Sequence, residues 1–226
     1  MCFCLIKLNI KEVSKIRPPQ DLEKHLSKLK ATGILLAGGK SSRMKENKAF
    51  LKLQGQSLAE RSLAVLDSVF EEVLISSNKS ELFAGFPFPV IQDSRPARGP
   101  LEGVYQGLQA ASYDSVFFAA CDMPFLQAEV IRFIARWLPK YDAAVPRLRS
   151  GLHPLHAFYH RRCLPIIKNS LETGRLKIID FYSSCLVRYI EEQELQAFGD
   201  LQQIFYNANT PEDWQYVQRV FQEDIL

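Results

Sequence analysis

The chain has 226 residues, 47% of them hydrophobic, with 28 basic against 25 acidic residues and a formal charge of +3. That content supplies a core for one sizeable domain and excludes a disordered chain, while the near balance of charge excludes the strongly basic surface that nucleic acid or an anionic membrane selects. Five cysteines (Cys2, Cys4, Cys121, Cys163 and Cys185), odd in number and without zinc-ribbon spacing, argue against a disulfide frame and for a reducing compartment, with the cytoplasm expected.

Residues 1–30 read as an N-terminal extension: an apolar start broken by Lys7, then Pro18-Pro19, then a lysine-rich stretch with Leu22, Leu26 and Leu29 at helical spacing. The start is too short to span a bilayer and lacks a cleavage signal. Residues 31–226 read as one domain. TGILLAGG is a buried-strand pattern ending in glycines, and a helix is predicted from about Leu58 to Phe70. Strand-like EVLISSN and PVIQD follow. Gly99-Pro100 opens a helix with proline in its first turn and a buried stripe of Leu101, Val104, Tyr105 and Leu108. SVFFAACD is a second continuous apolar run ending in a carboxylate, followed by a helix with Val130, Ile131, Ile134 and Leu138 on one face. Thr210-Pro211-Glu212-Asp213 reads as a capped helix start.

This alternation predicts an α/β domain, a mostly parallel central sheet flanked by helices in three Rossmann-like layers. Ligands of such sheets sit outside the carboxyl ends of the strands, where Gly38-Gly39, Asn78, Asp93 and Asp122 all fall.

In LLAGGKSSRMKENK the glycines free backbone N–H groups to surround phosphate oxygens, and Arg43 and Lys48 supply the positive charge that a triphosphate and its leaving group require. A solvated surface loop would use the same residue types. Asp122, at the end of a hydrophobic strand, needs a cation or several donors, and magnesium is the natural partner in triphosphate chemistry. A second role, capping the helix after Pro124, is compatible with the first. Asn78 and Asp93 suit either turn formation or contact with a nucleotide. Asp93 could accept hydrogen bonds from the N–H groups of guanine, a donor pattern that cytosine lacks. His153 reads as a loop histidine or a cleft residue, and Cys121 as a structural thiol.

From residue 32 onward the ordered motifs, namely Leu35 to Lys48, SSN ending at Asn78, QD at Asp93, GPLEG from Gly99, CDMPF from Cys121, HPLHAFY from His153 and NANTPED from Asn207, resemble the molybdenum cofactor guanylyltransferase family of nucleotidyltransferases. The resemblance implies transfer of GMP from GTP to the terminal phosphate of molybdopterin with release of pyrophosphate, and Mg2+ held at Asp122. It also implies catalytic roles for Arg43, Lys48 and Asp122, and nucleotide contacts at Leu36, Ala37, Gly38, Gly39, Lys48, Asn78, Asp93 and Asp122. His153, Asn207 and Asn209 would lie on the acceptor side. Other cofactor-biosynthesis proteins or acceptor molybdoenzymes are the partners implied. The family usually has glycine after its Arg-Met pair and aspartate directly before the lysine, where this chain has Lys45 and Asn47. A cytidylyltransferase on the same pterin and a non-catalytic nucleotide-binding partner are the alternative readings.

Overall fold

The computed structural model of the chain describes residues 27–38, 48–92 and 99–223. Most of the predicted extension therefore lies outside the described residues. Its last part does not continue the helical spacing of Leu22 and Leu26: Leu29 is the first residue of strand β1 (Leu29–Leu36), paired with Phe70.

The remaining strands are β2 (Lys52–Leu53), β3 (Gln56–Ser57), β4 (Phe70–Ser76), β5 (Val90–Ile91), β6 (Ser115–Ala120), β7 (Ala143–Leu148), β8 (Gly151–Leu152), β9 (His156–His160) and β10 (Val187–Glu191). The α-helices are α1 (Leu58–Val69), α2 (Pro100–Ala110), α3 (Ala128–Ala135), α4 (Leu164–Glu172), α5 (Glu192–Leu195), α6 (Leu201–Ile204) and α7 (Pro211–Glu223). None of the helices among the described residues is long and apolar enough to cross a membrane.

The main sheet runs β10-β7-β9-β6-β1-β4-β5, with β8 paired to β7 and a separate small ribbon of β2 and β3. β1, β4, β5 and β6 are parallel, as are β7 and β10, and β9 is antiparallel to both of its neighbours. Two antiparallel contacts in a row restore direction, so β7 and β10 point the same way as β6. The sheet is mixed and mostly parallel.

The continuous apolar runs are explained by burial on both faces. Leu35, Val73, Ile75, Phe117 and Ala119 face one layer with α1 and α3, whereas Ile34, Leu36, Leu74, Val116 and Phe118 face the other with α2 and α4. Gly107 lets α2 approach the sheet, since a Cβ there would lie 2.6 Å from Phe118 and 2.7 Å from Ile34.

Helix termini follow local chemistry. Ser57 and Glu60 form a reciprocal capping box at the start of α1, and Gly99, at φ 68°, turns the chain into Pro100 at the start of α2. Tyr105, expected in the buried stripe of α2, is only half-buried. Leu138, expected on α3, lies past its end: the helix closes at Ala135 because Pro139 disfavours helical backbone in the residue before it, although Leu138 still packs on the core.

Candidate active site

Parallel β1, β4, β5 and β6 end together, and their exits carry Gly38, Asn78 and Asp122 along one edge. Backbone hydrogen bonds hold these exits: Ala37 N–H donates to the Ser76 carbonyl at 2.8 Å, Ser77 N–H to Ile91 at 3.0 Å, and Cys121 N–H to Leu36 at 3.1 Å. Leu36 and Ala37 are buried beneath the edge, whereas Gly38 and Asn78 are exposed on it. Gly39, Arg43, Lys45, Asn47 and Asp93 lie outside the described residues.

Lys48 opens a 3-10 turn, Lys48–Phe50. The turn is anchored by Ala49, which is fully buried, and by Phe50, whose ring packs against Phe83 and Phe86 at centroid distances of 5.2 and 6.3 Å. The Lys48 ammonium donates to Asn209 Oδ1 at 2.8 Å and stands 3.8 Å from Asp122 Oδ2.

The loop before α7 closes the other side. Ala208 N–H donates to the Asp122 backbone carbonyl at 2.9 Å. Asp213 Oδ2 accepts from the N–H groups of Asn209 and Thr210, both at 2.8 Å, its Oδ1 accepts from the Tyr206 hydroxyl at 2.7 Å, and Thr210 Oγ1 accepts from Asp213 N–H at 3.1 Å. This is the reciprocal cap that the TPED sequence predicts. α7 then docks through Phe221, which stacks on Phe125 at 5.2 Å with an 8° tilt and carries the Arg61 guanidinium 4.4 Å from its ring centre. Helix, cap and CDMPF loop thus fix Asn209 against Lys48.

Burial raises the Asp122 carboxyl above its ordinary range, with Lys48 opposing part of that rise. Its side chain caps no helix, because α3 begins at Ala128 with Gln127 as its N-terminal neighbour. An under-compensated carboxylate beside an amide oxygen is a hard-oxygen donor set that fits Mg2+, which takes one or two carboxylates and fills the rest of its shell with water and phosphate oxygens. No cluster of three or more His, Cys, Asp or Glu suited to an all-protein metal cage occurs among the described residues.

Burial and the neighbouring Asp122 charge push the Cys121 thiol up to about 12, which excludes it as a nucleophile at neutral pH. His153 sits at the same edge with Nε2 3.2 Å from Ser150 Oγ. The buried Phe205 ring lies 4.8 Å from the ring of His153 and 4.5 Å from that of His156, a packing contact that backs His153 and that no sequence motif marks.

A mixed α/β sheet whose strand exits gather a lysine, a desolvated carboxylate and two asparagine-bearing loops defines a nucleotidyltransferase domain. The family of the MobA-like NTP transferase domain matches residues 33–185. The probable molybdenum cofactor guanylyltransferase of Pelotomaculum thermopropionicum is 39% identical over 185 residues, 82% of this chain and 90% of that protein. The molybdenum cofactor guanylyltransferase of Desulfosudis oleivorans is 37% identical over 80% of this chain and 91% of its own length. The crystal structure of molybdopterin-guanine dinucleotide biosynthesis protein A from Archaeoglobus fulgidus shares the fold, with a TM-score of 0.76 over 85% of this chain and 99% of that one at 23% identity. The chain belongs to the MobA-like NTP transferases and, among them, to the molybdenum cofactor guanylyltransferase family.

Proposed function

We propose that this protein transfers GMP from GTP to the terminal phosphate of molybdopterin, releasing pyrophosphate and forming molybdopterin guanine dinucleotide. The observation that carries the mechanism is the meeting of Lys48, Asp122 and Asn209 at the strand exits. A phosphate oxygen of the acceptor attacks the α-phosphorus of GTP in line, so no protein nucleophile is required. Lys48, held in orientation by Asn209, neutralises charge that builds on the departing pyrophosphate, and Arg43 and the glycine-loop amides assist it. Asp122 would hold Mg2+, which would supply charge neutralisation and alignment of the phosphates. His153, backed by the buried Phe205 ring, and Asn207 form the acceptor side. Asp93 is the proposed reader of the guanine N–H groups.

The test is pyrophosphate release from GTP and, in parallel, CTP, with Mg2+ and molybdopterin supplied and an Asp122→Ala control. Release that requires the pterin, prefers GTP and vanishes in the control is expected. A preference for CTP would make the protein a cytidylyltransferase, and tight nucleotide binding without release would make it a non-catalytic nucleotide-binding partner.

A further inference from the structure

Cys163 and Cys185 stand with their sulfurs 3.9 Å apart, 22 positions apart in the chain. Cys163 ends the 3-10 turn Arg161–Cys163 and is fully buried, its thiol donating to the Asp142 carbonyl at 3.3 Å. Cys185 is half-buried and follows the 3-10 segment Ile178–Ser184, with its N–H donating to the Tyr182 carbonyl at 3.1 Å. One aspartate fixes the backbone around both. The Asp142 carboxylate accepts from Leu186 N–H at 2.9 Å and from Arg162 Nε at 2.8 Å, and Asp142 N–H donates to the Leu186 carbonyl at 2.8 Å. The two thiols are therefore held face to face. A disulfide requires about 2.05 Å between the sulfurs, so closure needs roughly 2 Å of approach.

We propose that Cys163 and Cys185 form an oxidation site that a hydroperoxide closes into a reversible disulfide. Cys185 reacts first, because it is partly exposed whereas Cys163 is fully buried. Its thiolate attacks a peroxide oxygen, the O–O bond breaks, the alkoxide leaves and takes a proton from water, and Cys185 becomes a sulfenic acid. The Cys163 sulfur then attacks Sγ of Cys185, the S–O bond breaks, and the departing hydroxide takes the Cys163 proton as water. Two thiols lose two electrons, and the hydroperoxide is reduced to an alcohol and water. Hydrogen bonding to Cys185 and burial push the Cys163 thiol upward, so it is a poor attacker in free solution and acts here through enforced proximity.

The site lies where β7 and β10 begin, whereas Asp122 lies where β6 ends, pointing the same way. A six-residue strand separates these edges by roughly 20 Å. Oxidation therefore stabilises the fold and leaves the candidate active site unaltered. Closing a loop of this length should raise the thermal midpoint by roughly 5 °C or more.

The experiment treats the full-length protein with hydrogen peroxide and maps non-reduced peptides. A Cys163–Cys185 linked peptide, lighter by two hydrogens and lost on adding dithiothreitol, is expected, with a raised midpoint and unchanged turnover. Cys185→Ser should abolish the link and leave Cys163 as a free thiol. Cys163→Ser should let dimedone trap a sulfenic acid at Cys185. Recovery of both cysteines as free thiols, pairing of Cys185 with Cys2, Cys4 or Cys121, or an unchanged midpoint in the linked form would overturn the proposal.

Discussion

Lys48 and Asn209 lie 161 positions apart and meet through a 2.8 Å hydrogen bond from the ammonium to the amide oxygen. The contact joins the loop that follows the first strand to the loop that precedes the last helix. In the proposed mechanism, truncating Lys48 removes a charge that acts on the leaving group while touching little of the core. Lys48→Ala should lower turnover by at least about 100-fold with a thermal midpoint close to wild type. Pyrophosphate release and circular dichroism melts on one preparation check both halves, and near-wild-type turnover would remove Lys48 from the mechanism.

Asp122 predicts the opposite signs for activity and stability. Its folded carboxyl titrates above the unfolded value because burial disfavours the charge, so the folded chain binds more protons in that window. Its ionised form therefore opposes folding at neutral pH, and this cost fades as the pH falls below the unfolded value. Asp122→Asn should raise the thermal midpoint at pH 7 and cut Mg2+-supported turnover by about 100-fold or more. A lowered midpoint would show that the charge is compensated within the protein alone.

Asp213 works at one remove from the substrate. Burial opposes its ionisation, but hydrogen bonds from Tyr206, Thr210 and Asn209 outweigh it and hold the carboxyl below its ordinary range. Its contribution to stability is present above the unfolded value and is lost as pH falls through the lower folded one. Asp213→Ala should cost about 1–2 kcal/mol as a lost cap and loosen Asn209, lowering turnover even at saturating GTP. Denaturant melts and steady-state kinetics separate the two effects, and an unchanged kcat would confine Asp213 to stability.

His156 sets an acid limit. It is fully buried between Phe117 and Phe205, neither ring nitrogen has a hydrogen-bond partner among the described residues, and burial, aided by neighbouring His153, lowers it to about 3. The unfolded chain takes up this proton near pH 6.5 while the folded chain resists, so stability falls as pH drops from 6.5 towards 3, by about 1.4 kcal/mol per pH unit at most. His156→Phe should flatten that slope. A urea series from pH 7 to about 4 measures it, and equal slopes in the two proteins would exclude His156 as the cause.

The strands that end at the site were legible because burial on both faces writes them as unbroken apolar runs, as in TGILL and SVFFAA. The antiparallel β9 was harder to see. Its sequence, HAFYH, is bracketed by histidines that carry no strand signal, and direction within a sheet is not a local property. The TPED cap could be read because its bonds span three residues. By contrast, the grip of Asn209 on Lys48 and the stacking of Phe221 on Phe125 depend on how distant segments pack. A spacing rule cannot reach across such intervals. The helix through Leu138 was overextended because an apolar period continued past the point where Pro139 stopped the backbone.

The bond from Ala208 N–H to the Asp122 carbonyl ties the sheet edge to a segment near the end of the described chain. β1, β4 and β6 all lie within the first 120 residues, whereas the Ala208 and Asn209 contacts that steady the carboxylate and lysine do not. Those contacts come from residues 207–213, C-terminal to every strand among the described residues. A chain shortened before residue 207 would keep the strands of the sheet edge but lack the contacts that steady Asp122 and Lys48.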